Sequence, residues 1–464
     1  MALPRAVGEA VRPNLGKDSL TLASPWEKAA LPEANEAMVA FAKARVRLGM
    51  AGHGPQPLSA FDFFDTFPCP PLVILLRKLV KTATNVHFSF LNTANCNRDL
   101  FPHSSRTELL PNVGIYDVED GLPAVHDGAA KLHWGEQVDM FLRQALESFR
   151  AAISAAEREA RKKVGCLLGD AFLLFGSEFA KRMRVPWVTF WVDSPCFLSA
   201  CIHVEVLRKL CHGTSSGGVV HGEADDKALE MVPGLSLFRM SGFPDLILQA
   251  QTILIWMVPN LPRQMSRVLP CAAAVVMNSF EETNPVPVVA NLKSKLKILL
   301  HLGCLAVQFP PLPLPLTSAS DHTGCVAWLD ARDPPAVACI CYGTMVMPSP
   351  DEVSALAGAL ESTWTPFLWS LKEHMMVHLP EWFVKQMMTH EKIVLWAPQS
   401  RVLSHPAYGA YMTHCGCNSM FESMAEGEMR KRVGELRDRL VEAAWPGGSV
   451  EADFKALVEL ISTS

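Results

Sequence analysis

Four prolines crowded into eleven residues divide this chain: Pro310, Pro311, Pro313 and Pro315 all lie within residues 308–318. Proline fixes φ and has no amide hydrogen, so the stretch cannot be helical and must run extended. On both sides of it, short β-branched or apolar runs alternate with longer stretches of helical spacing. Upstream, residues 86–91, 164–172, 187–192 and 273–277 read as strands. Residues 137–161 read as a helix, with Met140, Leu142, Leu146, Phe149 and Ile153 on one face. Downstream, strands are expected at 337–342, 366–371, 393–396 and 408–413, and helices at 350–362, 380–388 and 400–404. Strands alternating with helices imply parallel sheets covered on both faces, an α/β fold. Two such halves joined by an extended connection place a cleft between the carboxyl ends of two sheets, where folds of this kind bind ligands.

Composition supports a large folded chain. Of 464 residues, 49% are apolar and 19% charged, which supplies a core and excludes a disordered protein. A net charge of -5 argues against nucleic acid or an anionic membrane surface as partner. No apolar run approaches the ~18 residues of a membrane span, and the first residues (Arg5, Glu9, Arg12, Lys17, Asp18) do not resemble a secretory leader. Thirteen scattered cysteines fit reduced thiols better than a disulfide framework. A cytoplasmic enzyme, without a membrane span and expected as a monomer, is the reading. The expected division is an extra segment at 1–57, an N-terminal domain at 58–303, a linker at 304–322, a C-terminal domain at 323–449 and a terminal helix at 450–464. In that helix Phe454, Leu457, Val458 and Ile461 share one face. Two places read poorly. Residues 58–71 show neither alternation nor a helical stripe. Residues 418–444 stay polar without a strand, so one long helix is expected, weakened at Gly427 and Gly434 by ~1 kcal/mol each.

The chemistry is concentrated in residues 395–426. Trp396 follows a strand and offers a flat face for a base or ring, and Gln399 has the reach for a sugar hydroxyl. The turn Thr413-His414-Cys415-Gly416 closes a strand and opens a helix at Asn418-Ser419, where free N–H groups and the dipole suit a phosphate. Gly416 permits close backbone approach, and Glu422 in the first helical turns suits a ribose diol.

In their order and spacing, Trp396-Ala397-Pro398-Gln399, Val402-Leu403, His405, Gly409, Thr413-His414-Cys415-Gly416, Asn418-Ser419 and Glu422 resemble the signature box of plant family 1 UDP-glycosyltransferases. Further similarity runs over most of residues 72–427: the run 164–172, which looks like the family's strand ending in an acidic residue, here Asp170, Val185-Pro186-Trp187 with the segment 196–200, Arg267-Val268-Leu269-Pro270 followed by residues 278–282, the runs 325–330 and 342–344, and Phe367-Leu368-Trp369-Ser370-Leu371. The subgroup most resembled is the flavonoid (anthocyanidin or flavonol) 3-O-glucosyltransferases. The resemblance implies a GT-B fold, two Rossmann-like parallel-sheet domains facing a cleft. It implies inverting transfer of a sugar, glucose first, from a UDP-sugar co-substrate to a phenolic hydroxyl, without a metal or other cofactor. It further implies that Trp396 and Ala397 hold the uracil and that Gln399 and Glu422 hold the ribose. His414, Asn418, Ser419 and Thr344 would serve the phosphates beside Gly416 and Cys417, and Asp170 would orient a catalytic histidine.

The chain departs from that pattern in three places. No histidine lies between His53 and His87, where the family's base is expected. Met50-Ala51-Gly52 looks like an ordinary start for such an enzyme, so residues 1–49 read as an upstream addition and 58–70 as a disrupted stretch. After Gly427 the chain passes directly to a segment resembling the family's near-terminal helix, without the Asp/Gln pair that grips the sugar, so the C-terminal sheet is expected to be incomplete. Cys417 stands where the family carries tryptophan. Transfer by this chain is therefore expected to be impaired. Plainer readings stand beside these. Asp170 also fits a helix cap, and His414 a satisfied core histidine. His414, Cys415 and Cys417 are too close in sequence to converge on zinc. Cys415 with His405 is a weak case for a thiol hydrolase. Trp364, Trp369 and Trp382 read as core or interface, Cys339 and Cys341 as strand residues without a redox role, and His87 and His203 as remote substitutes for the base. The rival functions are a non-catalytic small-molecule or UDP binder on the same scaffold and, more weakly, a sugar-nucleotide epimerase.

Overall fold

The computed structural model describes residues 70–101, 112–121, 134–213, 229, 232–233, 235, 261–305, 323–342, 348–386, 391–414, 416, 419–421, 423 and 431–463. The expected segment 1–57, the unclear stretch 58–69 and residues 306–322 of the expected linker lie outside these. The chain gathers into two compact units. One contains Leu58–Ala306 with Arg439–Ser464, the other Val307–Asp438.

In the first unit, strand β1 (Phe88–Thr93) pairs in parallel with β2 (Val113–Val118). A second sheet has the order β3-β4-β5-β6, all parallel: β3 (Leu167–Asp170), β4 (Trp187–Trp191), β5 (Ala274–Met277) and β6 (Leu299–His301). Period-two alternation sorts its side chains. Trp187, Trp191, Val275, Met277 and Leu299 enter one core, and Val188, Phe190, Ala274, Val276 and Leu300 enter the other. The first core is closed by helices α5 (Pro195–Ile202), α7 (Leu261–Val268) and α8 (Val286–Lys295), through Leu198, Met265 and Leu292. The second is closed by α1 (Pro70–Thr82) and α15 (Ser449–Ser462), through Leu75, Leu79, Leu457 and Ile461. The terminal amphipathic helix thus docks by the face read from sequence. Asp453 fixes its position on the sheet by accepting the His301 amide at 2.6 Å. The remaining helices of this unit are α2 (Ala94–Leu100), α3 (Trp134–Ala160), α4 (Phe175–Met183), α6 (Val204–Gly213) and α14 (Lys431–Ala444), which crosses the boundary at Arg439.

The second unit is a parallel sheet of order β10-β7-β8-β9, made of β7 (Val337–Cys341), β8 (Phe367–Ser370), β9 (Glu391–Val394) and β10 (Tyr408–Thr413). Its helices are α9 (Cys325–Asp330), α10 (Pro350–Thr363), α11 (Glu373–Met376), α12 (Glu381–Gln386) and α13 (Gln399–Leu403). Helix α10 has a full capping box. Ser349 Oγ accepts the Glu352 amide at 3.3 Å, while the Glu352 carboxylate accepts the Ser349 amide at 2.9 Å. Trp369 is fully buried between this helix and the sheet, whereas Trp364 and Trp382 are exposed.

Sequence and structure differ in places. Strands β2 and β6 had no sequence assignment: Gly114 and Asp117 interrupt the first, and the second is only three residues long. The strand expected at 393–396 ends at Val394 and begins at Glu391, so Leu395 and Trp396 emerge from it exposed. His87 precedes β1 rather than lying inside a strand, and His203 sits in the turn between α5 and α6. Of the long helix expected at 418–444, Lys431–Ala444 is helical, as are residues 419–421 and 423; the others lie outside the described residues.

Candidate active site

The described residues of the signature box follow the carboxyl ends of β9 and β10, the two outer strands of the second unit's sheet. The chain leaves β9 at Val394, whose carbonyl accepts the Leu371 amide at 2.9 Å. It passes through Leu395 and Trp396 (65% exposed, so free to meet a ring) and turns into α13. Val402 and Leu403 pin that helix to the core. Ala397 and Gln399 line a small, partly open hollow, shared with Cys341, Ser370, Leu403 and Tyr411. Within it the Gln399 amide donates to the Tyr411 hydroxyl, and the Cys341 thiol lies 3.8 Å from Gln399 Oε1. Tyr411 was not singled out from sequence, and Cys341 was read only as a strand residue. Neither has a conspicuous motif, and only the pairing of β10 with β7 places both beside Gln399.

After β10 the chain turns at His414, whose half-buried imidazole has its pKa lowered by burial. Its ring lies against Gly416, where a Cβ would come within 2.9 Å of Cε1 and closer still to Nε2. The glycine therefore serves the imidazole as well as the backbone. The Gly416 carbonyl accepts the Met420 amide at 3.0 Å, opening the helical turn that buries Ser419 and Ser423. Thr344, Cys415, Cys417, Asn418 and Glu422 lie outside the described residues.

Asp170 belongs to the other unit, at the carboxyl end of β3. Desolvation pushes its carboxyl up to about 6, against the pull of the Phe172 amide, which donates to Oδ1 at 2.8 Å. Among the described residues no histidine hydrogen-bonds it. His203 turns Nδ1 to the Ser199 carbonyl at 2.8 Å. His405 is engaged on both sides, by Asp330 at 3.0 Å and the Ala407 amide at 3.1 Å, so it holds a turn rather than activating a thiol. The run 278–282 is structural too: Asn278 and Ser279 are buried, and Asn278 Oδ1 accepts the Leu305 amide at 2.9 Å. No helix among the described residues is long and apolar enough to cross a membrane.

The chain is similar to several known proteins. The family model described as UDP-glucoronosyl and UDP-glucosyl transferase matches residues 319–458. A flavonol 3-O-glucosyltransferase of Actinidia chinensis var. chinensis is 38% identical over 380 residues, covering 81% of this chain and 80% of the relative. An anthocyanidin 3-O-glucosyltransferase of Vitis vinifera is 37% identical over 357 residues, covering 77% and 75%. A crystal structure of a UDP-glucose:anthocyanidin 3-O-glucosyltransferase in complex with UDP superposes with a TM-score of 0.70 at 31% identity, over 85% of this chain and 96% of that one. With its parallel sheets and GT-B fold, the chain belongs to the UDP-glycosyltransferase family of transferases.

Proposed function

We propose that this chain binds a UDP-sugar, glucose first, and is built to transfer the sugar with inversion to a hydroxyl of a flavonoid-like phenol. The observation that carries the reading is the signature box set at the strand ends, with Trp396 exposed beside Ala397 and Gln399. The acceptor class rests on relatives named for flavonols and anthocyanidins, and UDP as ligand on the complex with the related enzyme. In this reading Trp396 and Ala397 take the uracil, and Gln399 and Glu422 the ribose. His414, Ser419, Asn418 and Thr344 take the phosphates with Gly416 and Cys417, and Asp170 is the carboxylate on the acceptor side. The chain would act as a cytoplasmic monomer with the domain limits given above, and at a reduced rate, because Asp170 lacks an imidazole partner among the described residues.

The test is to incubate the full chain with UDP-glucose and a flavonol and follow products by mass spectrometry. A glucoside, even at a slow rate, supports the transferase reading. UDP binding without any product selects the non-catalytic binder, and an altered sugar nucleotide selects the epimerase. Absence of both product and UDP binding overturns the reading.

A further inference from the structure

After the exposed Leu395 and Trp396, Ala397 packs on the core and Gln399 is the first side chain held by hydrogen bonds. Leu395 and Trp396 are 53% and 65% exposed, so their conformation has to be fixed from elsewhere. On one side lies the backbone hydrogen bond at Val394. On the other lies Gln399, whose carboxamide is turned onto the sheet. Nε2 donates to the Tyr411 hydroxyl of β10, and Oε1 faces the Cys341 thiol at the end of β7 at 3.8 Å. The strands carrying them are parallel neighbours, with Tyr411 in register with Cys339 and Thr413 with Cys341.

A carboxamide has two N–H donors and two acceptor lone pairs. Tyr411 and Cys341 use one of each, leaving one donor and one acceptor for a ligand. A side chain held this way loses little freedom when it binds, and the loop it terminates loses less as well. A phenylalanine at 411 would keep the ring and remove the hydroxyl, as donor and as acceptor.

We propose that Tyr411, assisted by the Cys341 thiol, is a positioning residue for the nucleotide site: it holds the Gln399 carboxamide against the strand ends and thereby fixes the loop that presents Trp396. The proposal rests on the nucleotide-binding reading of that loop. Tyr411→Phe should weaken UDP binding roughly three- to tenfold, the range of a single hydrogen bond. In a Gln399→Ala background the same substitution should change nothing, because the group it positions is gone.

Calorimetric titration of UDP into the full-length parent, Tyr411→Phe, Gln399→Ala and the double variant reads both effects. A loss confined to the Gln399 background supports the proposal. Equal affinity of Tyr411→Phe and parent, or an equal loss in both backgrounds, overturns it. Should the parent bind no UDP, the nucleotide reading fails, and hydrogen exchange in the ligand-free chain then decides the clamp by itself. Faster exchange at the Leu395, Trp396, Ala397 and Gln399 amides in Tyr411→Phe sustains it, and unchanged exchange sinks it.

Discussion

At the scale of single residues, exposure and desolvation decide what can be tested. Trp396 buries little of its ring in the ligand-free chain, so its replacement should cost binding rather than folding. Trp396→Ala is expected to lose a stacking contact of about 1–3 kcal/mol, a roughly 5- to 150-fold drop in UDP affinity, with an unchanged melting temperature. Equal UDP affinity in calorimetry would show that the site is misplaced. Asp170 behaves in the opposite way. Its folded pKa of about 6 lies above the unfolded value of ~3.9, so the charged form costs stability. The cost is absent below about pH 4, grows as the pH rises to about 6, and is constant above. Asp170→Asn keeps an oxygen for the Phe172 amide and carries no charge. The variant should therefore melt above the parent at pH 7, by up to about 3 kcal/mol in stability, with the gap closing near pH 4. A difference that does not vary with pH would contradict the desolvation of this carboxyl.

At the scale of elements, local signals explain which parts were legible. The capping box at Ser349 and Glu352 marks the start of α10, and removing it by Ser349→Ala should cost about 1 kcal/mol in denaturant unfolding. Strands β4, β5 and β7 were readable because their apolar runs are bounded by turns, and α15 because its stripe is regular. Strand β2 was not, because Gly114 and Asp117 break its alternation and its pairing with β1 is a non-local contact. In the site, Trp396, Gln399 and His414 stood out through motif spacing. Tyr411 and Cys341 did not, since they meet Gln399 only across the β10–β7 pair. The sheet order also has a consequence. Among the described residues β10 is terminal, half-exposed along all six positions, with neither proline nor charge. Such an edge invites association. The purified chain is expected to aggregate as concentration rises and to melt at low temperature. A monomer with a sharp, high transition in calorimetry and light scattering would count against this.

At the scale of the whole molecule, sugar transfer needs three provisions together: a base on the acceptor oxygen, a held sugar and a stabilised UDP leaving group. In the proposed reading, the described part of the signature box addresses the third. For the first, the chain offers Asp170, whose Oδ1 is engaged by the Phe172 amide, without an imidazole on it among the described residues. His203 is committed to the Ser199 carbonyl through Nδ1, and His87 precedes β1. General-base assistance is typically worth ~10²–10⁴-fold in rate, so its loss alone would bring turnover close to the floor of an ordinary assay. For the second, Cys417 stands where the family carries tryptophan, and the box breaks off after Gly427. Misplacing the sugar by ~1 Å can cost a further ~10²-fold. The two losses bear on one reaction and need not multiply. The expected outcome is UDP binding with glucoside formation at least ~10²-fold slower than that of an intact family member, measured by mass spectrometry under matched conditions. The pH dependence adds a second readout. If Asp170 acts alone on the acceptor, the residual rate should fall as the pH drops through about 6, where its carboxyl takes up a proton. Turnover equal to that of an intact relative would mean that a base other than Asp170 alone reaches the acceptor, and mutation of the histidines one by one, beginning with His53, would then identify it.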